Sequence, residues 1–289
     1  MTHAVTSPPG PVTIAGGALT VHTLPAASDN LVWLLVAEDR GEAAVVDGPG
    51  AEEALAACEA LGVRLTTVVN THTHHDHIGV NKDLARRGRL EGLRVVGPRK
   101  VAGAVPGLTD PVDDGDTIEI LGVEARVMLT EGHIDGHVSY VVGDALFCGD
   151  TLFAGGCGYL FDGPPAKMHA SLARLAALPG DTRVFCAHEY TQDNLRFAWS
   201  VEPDNEALAE RIRRVWATRA QGGATVPSTI AVERATNPFL RGDSEPLRRR
   251  VAEGMPGAPM GTPVEVFAAT RALKDTKRYR ERGDEGLPV

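Results

Sequence analysis

Short apolar runs, rich in Val and Leu and of strand-like length, recur through the first two thirds of the chain. The runs that predict strands are 31–36, 43–46, 65–69, 93–96, 117–121, 125–129, 138–142, 145–148 and 183–186. Segments with helical spacing lie between them, each closed by Gly or by a Pro-Gly pair, and predict helices at 51–61, 81–87 and 167–178. This part of the chain therefore reads as a mixed α and β domain.

The hydrophobic pattern changes after residue 188, where strand-like alternation nearly disappears. Helical spacing dominates instead, and it predicts helices at 205–220, 246–253 and 262–275. The sequence therefore divides into a leader at residues 1–10, expected to be flexible, an α/β domain at 11–188 and a smaller all-helical domain at 189–289.

The amino-acid composition limits the kinds of molecule that the protein is expected to bind. The 289 residues are 43% apolar, which is enough for a sizeable core, and the formal net charge of -9 argues against broad nucleic-acid binding. The longest early apolar run, 31–36, is too short to span a bilayer, and the first ten residues lack the pattern of a secretory signal. We expect a cytoplasmic monomer that binds neither nucleic acid nor membrane.

The richest chemistry lies directly after the apolar run 65–69, in the pattern His-x-His-x-Asp-His. His72, His74, Asp76 and His77 offer four metal-binding groups within six positions. The cluster is internal and mixed with Asp, unlike an affinity tag or a disordered histidine tract. If the chain stays extended here, the first three of these side chains alternate onto one face and His77 points elsewhere. The segment is predicted to serve two neighbouring metal positions.

Three further candidate ligands each follow a predicted strand, and they are His133, Asp150 and His188. Strand ends converge at one edge of a sheet. The count assigns His72, His74 and His133 to one metal. It assigns Asp76, His77 and His188 to a second, with Asp150 as a bridging carboxylate. Two divalent ions, two carboxylates and a bridging hydroxide leave the site near a charge of +1, which favours an anionic substrate.

Several later segments resemble the glyoxalase II (hydroxyacylglutathione hydrolase) family of metallo-β-lactamase-fold hydrolases. They run from Gly149-Asp150-Thr151 and Gly156-Cys157-Gly158, through His188-Glu189-Tyr190-Thr191, to Asn237-Pro238-Phe239. The histidine cluster is typical of the superfamily, and the His-Glu-Tyr-Thr segment with the helical C-terminal region narrows it to this family. The resemblance implies an αββα sandwich at 11–188 as the catalytic domain and a substrate-binding role for 189–289.

The resemblance also implies an activity: hydrolysis of S-D-lactoylglutathione and related 2-hydroxyacyl-glutathione thioesters to glutathione and D-lactate. This reaction is the second step of methylglyoxal detoxification. A metal-bridging hydroxide, oriented by Asp76 and Asp150, would attack the thioester carbonyl. The implied cofactors are two divalent ions, with zinc expected and iron or manganese as alternatives.

Residues outside the ligand set also gain roles from the resemblance. Asp47 is similar to an aspartate that orients the metal-binding loop, although a plain turn residue explains it equally well from sequence alone. Tyr190 and Asn194 resemble residues that grip the thiol carrier. Arg271 and Lys274 match a basic pair that holds a carboxylate; without the resemblance, they read as a solvated basic helix end.

The carrier site also departs from the family at two positions. Tyr159 stands where the family usually has Lys or Arg, and Phe161 stands where a tyrosine is common. Both are expected to contact substrate, and the change leaves a different thiol carrier open. A mononuclear-iron persulfide dioxygenase on the same fold is the other alternative. Cys157 could be considered a nucleophile, but a small packed residue is the preferred interpretation.

Overall fold

The computed structural model describes residues 3–289, and its first layer is a seven-stranded sheet in chain order. The strands are β1 (Val12–Ile14), β2 (Leu19–Ala26), β3 (Asn30–Ala37), β4 (Glu42–Val46), β5 (Arg64–Val69), β6 (Arg94–Pro98) and β7 (Asp110–Val112). Strands β1 to β4 pair antiparallel, whereas β4 to β7 run parallel. Every residue of β3 is buried, as expected for a central strand covered on both faces.

A second sheet of six strands has the order β15-β14-β11-β10-β9-β8. Its strands are β8 (Thr117–Ile120), β9 (Val123–Leu129), β10 (Val138–Val142), β11 (Ala145–Gly149), β14 (Arg183–Cys186) and β15 (Ser228–Thr229). A small hairpin, β12 (Leu152–Phe153) with β13 (Gly156–Cys157), follows β11. Strands β11 and β14 are parallel, so their carboxyl ends lie at the same edge.

The two sheets pack face to face, with helices outside them. Trp33 and Leu35 of β3 share a core with Val127 of β9, Tyr140 of β10 and Phe147 of β11. On the other face of the first sheet, α1 (Glu52–Leu61) and α2 (Gly79–Arg86) cover a separate cluster. Helix α3 (Pro165–Ala176) packs on the second sheet through its apolar side. The αββα sandwich expected from the sequence is confirmed.

The region after residue 188 is helical, as predicted. It contains α4 (Thr191–Val201), α5 (Glu206–Ala220), α6 (Ile230–Thr236), α7 (Glu245–Gly254) and α8 (Pro263–Asp275). Helix α8 begins with a capping box in which Thr262 and Glu265 satisfy each other's backbone amides, with Pro263 in the first turn. The two-residue strand β15 is an exception to the all-helical expectation, since it pairs with β14 of the second sheet.

Part of the segment predicted as a flexible leader contacts the body of the protein. Val5 is buried, and the amides of Thr6 and Ser7 both donate to the carbonyl of Gly222. The first two residues of that segment lie outside the described residues. None of the helices within residues 3–289 is both long and apolar enough to cross a membrane. The four cysteines are buried and free.

Candidate metal centre

The predicted ligands meet at one edge of the sandwich, because each follows a strand whose carboxyl end lies there. The segment 70–78 follows β5, His133 follows β9, Asp150 follows β11 and His188 follows β14. Parallel pairing of β4 with β5, and of β11 with β14, brings the strand ends of each sheet to a common edge. Long-range convergence of this kind is typical of sites built on sheet edges.

The expectation that the histidine segment continues as an extended strand is wrong. Strand β5 ends at Val69, and the following residues turn back, with the amides of His77 and Ile78 both donating to the carbonyl of His74. Buried Asn70 holds this turn: its Nδ2 donates to the carbonyl of His77 at 3.2 Å, and its Oδ1 accepts from Asn81 at 2.8 Å. The turn directs adjacent side chains toward two different positions.

The first group contains His72, His74, His133 and Asp150, whose ligand atoms all lie within 4.8 Å of one another. Nδ1 of His74 lies 3.1 Å from Nε2 of His72 and 3.0 Å from Nε2 of His133. Nε2 of His133 is 3.4 Å from Oδ2 of Asp150. Three ring nitrogens and one carboxylate oxygen therefore face a common point.

The second group contains Asp76, His77 and His188. Oδ2 of Asp76 is 3.4 Å from Nε2 of His188 and 3.7 Å from Nε2 of His77. The other oxygen of Asp150, Oδ1, lies 3.5 Å from each of these two ring nitrogens. One carboxylate thus faces both groups, with one oxygen directed at each.

Asp47 contacts the segment that carries the candidate ligands through its carboxylate. Its backbone is left-handed, with φ +55°, and its carboxylate accepts from the Thr71 amide at 2.9 Å and from the Thr71 hydroxyl at 2.6 Å. The same carboxylate lies 2.9 Å from Nδ1 of His77. An ionised carboxylate only accepts hydrogen bonds, so Nδ1 carries the proton and Nε2 is directed to the second group. Its carboxylate therefore contacts both the backbone and a ring of the candidate ligand segment.

Two supporting residues were missed in the sequence. Oδ1 of Asp29 lies 2.8 Å from Nδ1 of His188, and Nδ2 of Asn30 donates to Oδ2 of Asp76 at 3.1 Å. Both stand at the start of β3, which runs antiparallel to β4 and so begins where β4 ends. The available signal in the sequence was an Asp-Asn pair before an apolar run. Its role could not be predicted from that signal, because the isolated bridge between residues 30 and 188 forms only in the folded protein.

Two histidines that the sequence analysis kept out of the ligand set have other surroundings. His137 is fully buried, and its Nε2 accepts from the amide of Asp150 at 3.2 Å, while its Nδ1 lies 3.1 Å from the hydroxyl of Thr130. Both ring nitrogens are therefore used in holding the loops. The side chain of His75 is 92% exposed, and it belongs to neither ligand group.

The electrostatics of the second group favour positive charge. Burial alone would raise the pKa of the Asp150 carboxyl, but the charges of His188 and His77 outweigh it and hold that pKa far below its usual value. Burial alone would lower the pKa of His188, yet Asp150, Asp29 and Asp76 raise it to about 9. The carboxylates therefore stabilise a cation between them.

The first group differs, because its imidazoles remain neutral. Burial, reinforced by His77 and other neighbouring rings, lowers the pKa of His72 well below its ordinary value, and burial also lowers the pKa of His74 and His133. Neutral imidazoles keep a ring lone pair available for a metal ion.

Two buried atoms at the junction of the groups lack partners. Nε2 of His77 and Oδ1 of Asp150 make no hydrogen bond to any residue from 3 to 289. Unpaired buried polar atoms are costly, and a divalent cation bound by both would satisfy them. Imidazole and carboxylate donors suit zinc, iron and manganese alike. The donor set therefore fits a divalent metal centre.

A cavity of about 680 Å³ opens from these groups toward α8. All six residues predicted to contact substrate line it: Tyr159, Phe161, Tyr190, Asn194, Arg271 and Lys274. The aromatic rings at its mouth are exposed, with Phe161 at 64% and Tyr159 at 45%. At its floor, the Tyr190 ring stacks on His188 with centroids 4.7 Å apart.

The basic pair of α8 is buried at the far end of this cavity. Arg271 and Lys274 are only 4% and 7% exposed, so they are not a solvated helix end. Nε of Arg271 donates to Asp275 at 3.0 Å, and its Nη1 donates to the carbonyl of Cys157 at 3.2 Å. The Lys274 ammonium donates to the side-chain oxygen of Asn194. Burial and then the charge of Arg271 lower the pKa of Lys274 to about 7.

Cys157 is a packed residue rather than an activated thiol. It is 3% exposed and belongs to the main core cluster. Burial raises the pKa of its thiol, although Arg271 nearby opposes that shift. A nucleophilic cysteine needs the opposite shift, since the thiolate is the reactive form.

Comparison with known families identifies both parts of the chain. Residues 28–188 match the family model for the metallo-β-lactamase superfamily, and residues 189–277 match that for the hydroxyacylglutathione hydrolase C-terminus. The chain is 49% identical to a hydroxyacylglutathione hydrolase of Gloeobacter violaceus, covering 89% of this chain and 99% of that protein. It is 47% identical to one of Methylococcus capsulatus, covering 90% and 99%.

Solved structures agree with this fold. ETHE1 from Myxococcus xanthus is 25% identical, with a TM-score of 0.55, covering 86% of this chain and 94% of that one. TTHA1623 in a di-iron-bound form is 25% identical, with a TM-score of 0.51, covering 76% and 99%. Since both family models match in sequence order and the relatives are covered almost completely, the chain belongs to the hydroxyacylglutathione hydrolase family of the metallo-β-lactamase superfamily.

Proposed function

We propose that this protein hydrolyses S-D-lactoylglutathione, and related 2-hydroxyacyl-glutathione thioesters, to glutathione and the free hydroxy acid. The observation that carries the proposal is the shared carboxylate of Asp150, which faces both ligand groups at the floor of a cavity whose far end is cationic. The family of the chain supports a metal-dependent hydrolase. The thioester would lie along the cavity, with its carbonyl at the floor and its thiol carrier toward α8.

The first ion would be held by His72, His74, His133 and Asp150, and the second by Asp76, His77, His188 and Asp150. When bound, two divalent cations would supply Lewis acidity, which lowers the pKa of water and polarises a carbonyl oxygen. Zinc is the metal we propose, and a monomeric state remains a prediction from sequence.

The protein residues would position water and substrate. Asp76 stays ionised: burial would raise its pKa, but His188 and His77 hold it far below the usual value. Its Oδ2 is fixed by Asn30 at 3.1 Å, so the carboxylate is oriented to accept a hydrogen bond from a water molecule at the cavity floor. Water adds to the thioester carbonyl, the carbon–sulfur bond breaks, and the thiol leaves with one proton.

The carrier would be held by the walls of the cavity. Arg271 and Lys274 are preorganised by burial, and they share one face of α8 as residues three apart on a helix do. They would bind a carboxylate of the carrier together. The exposed rings of Tyr159 and Phe161 would pack along its apolar portion.

A thioesterase acting on a different thiol carrier is the second candidate. It is favoured by the pairing of Arg271 with Asp275, which already neutralises much of one cation, and by aromatic side chains at the mouth of the cavity. The test is turnover of S-D-lactoylglutathione against D-lactoyl thioesters of coenzyme A and of N-acetylcysteamine, using protein of measured metal content. A higher kcat/KM for the glutathione thioester supports the proposal. A higher kcat/KM for the thioester of another thiol overturns the assignment of glutathione as the carrier.

A persulfide dioxygenase would behave differently in the same preparation. It would consume oxygen with glutathione persulfide and leave the thioester intact. Oxygen consumption without thioester hydrolysis would contradict the proposed activity.

A further inference from the structure

Lys277 occupies a backbone conformation that usually belongs to glycine. Helix α8 ends at Asp275, and the chain turns through Lys277 with φ +59° and ψ +9°, its amide donating to the carbonyl of Lys274 at 3.0 Å. At this position after a helix a Cβ is crowded, so glycine is the common residue. A side chain kept in a strained conformation points to a use for that side chain.

The Lys277 side chain lines the same cavity as the buried basic pair. Four cations line this end: Arg271, Lys274, Lys277 and Arg280. Two carboxylates, those of Asp193 and Asp275, line it as well. With Lys274 protonated, four positive charges against two negative ones leave an excess of +2, which suits a carrier with two anionic groups.

The excess is not shared evenly among the cations. Arg280 is bound to Asp193 through two contacts of 2.8 Å, and Arg271 is paired with Asp275. Lys274 has a neutral partner in Asn194. For the Lys277 ammonium, residues 3–289 offer no carboxylate within salt-bridge distance. Lys277 is therefore an exposed cation at the cavity rim whose charge no described carboxylate compensates by a salt bridge.

The rim that carries Lys277 is anchored. The hydroxyl of Tyr279 donates to Asp193 at 2.7 Å, and Asp193 lies in the first turn of α4. With the two Arg280 contacts, this fixes the short 3-10 helix Arg278–Arg282 against α4. The backbone of Lys277 thus has a fixed position relative to the cavity, so binding does not have to order this segment of the backbone.

We propose that Lys277 is a specificity-determining residue that binds a second carboxylate of the thiol carrier, separate from the one held by Arg271 and Lys274. This inference rests on the proposed thioester hydrolysis and names the class of carrier that the site prefers. A carrier with two carboxylates uses both cationic positions. A carrier with one carboxylate uses only the buried pair and gains nothing from Lys277.

The test compares two thioesters on the full-length, metal-loaded protein at constant ionic strength. S-D-lactoylglutathione carries two carboxylates on its carrier, and S-D-lactoyl-N-acetylcysteinylglycine carries one. For Lys277→Met we expect KM for the first to rise about fivefold with kcat little changed, since one exposed charge contact is lost. KM for the second should equal that of the unaltered protein. Lys277→Arg should restore binding of the first.

Two further variants separate this role from a structural one. Lys277→Gly should raise the melting temperature, because the strained turn is relieved, and still show the higher KM. Arg278→Met removes the neighbouring cation outside this cavity and should leave both KM values unchanged. An unchanged KM in Lys277→Met, or an equal rise for both thioesters, overturns the inference. If the unaltered protein hydrolyses neither thioester, the proposed function fails instead.

Discussion

Oδ1 of Asp29 lies 2.8 Å from Nδ1 of His188. Hydrogen bonds to the carboxylate of Asp29, above all the one from His188, lower its pKa. The carboxylate is therefore ionised and can only accept, so Nδ1 of His188 must donate. The opposite nitrogen of His188 is then directed at Asp76 and Asp150, 3.4 and 3.5 Å away. A side chain outside the candidate ligand set thus fixes both the tautomer and the orientation of one candidate ligand.

Asp29→Asn should weaken metal binding at the second group. The amide removes the charge that holds the His188 proton, and losses of this kind cost about 10- to 100-fold in metal affinity. Competition with a chelator of known affinity measures the change. Asp39→Asn, in the exposed turn after β3, is the matched control and should bind metal normally. Equal affinity in both variants would show that Asp29 has no orienting role.

Substrate binding should weaken with rising pH through Lys274. Its pKa falls from 10.5 to about 7 in the folded protein, so above about pH 7 the free enzyme must take up a proton before it binds a carboxylate. The KM of the unaltered protein should then rise by up to tenfold per pH unit. The Lys274→Met variant should have a higher KM at neutral pH and should show no such rise. A KM profile of the same slope in both proteins would remove Lys274 from the carboxylate site.

The same shift predicts a pH dependence of stability. Between about pH 7 and about pH 10 the unfolded chain still holds the Lys274 proton while the folded protein has released it. The unfolded state therefore binds more protons, and the free energy of unfolding should rise with pH in this window, relative to Lys274→Met. Urea unfolding of both proteins at pH 7 and 9 measures the difference. A difference that does not grow with pH would contradict the pKa shift.

A buried ion pair ties the helical region to the cavity wall. Arg211 and Glu233 are 4% and 0% exposed and bind each other, and the second oxygen of Glu233 accepts from the Gly155 amide at 2.8 Å. Asn237 also donates to the carbonyl of Gly156 at 2.9 Å. These contacts hold the hairpin β12–β13 beside the ligand groups.

Glu233→Ala should therefore lower the free energy of unfolding by about 3 to 5 kcal/mol, because it leaves the Arg211 charge buried and unpaired. Replacing both partners by methionine should recover much of that loss, since no buried charge remains. Chemical denaturation of the three proteins tests this. A loss below about 1 kcal/mol in the single variant would mean that water reaches Arg211.

The sequence predicted those elements whose apolar pattern is strong. The nine predicted strands correspond to β3–β6, β8–β11 and β14 within a few residues. Strand β2 was missed although it alternates buried and half-buried positions, because His22 and Pro25 interrupt the apolar character. Helix α4 was missed because its first turn, Thr191 to Asn194, is polar, and that polarity reflects contacts made only in the folded protein.

The candidate site shows the same contrast between residues that belong to a strong sequence pattern and residues whose roles depend on the folded protein. The seven candidate ligands were chosen from the density of histidines in one segment and from single polar residues after strands. Their grouping around Asp150 matches the distances in the structure, whereas the extended path expected at 72–77 was wrong because Asn70 folds that segment back. Asp29 and Lys277 were not predicted, since their roles depend on a strand pairing and on a backbone angle.

The metal content and thioester turnover of the purified protein and of Asp150→Ala test the central claim most directly. We predict two divalent ions per chain and hydrolysis of S-D-lactoylglutathione by the unaltered protein. Asp150→Ala should stay folded by circular dichroism, lose most of its metal and fall at least about a hundredfold in turnover. Asp181→Ala, an exposed aspartate before β14, should match the unaltered protein. Two bound ions and normal turnover in Asp150→Ala would contradict a metal centre built on that shared carboxylate.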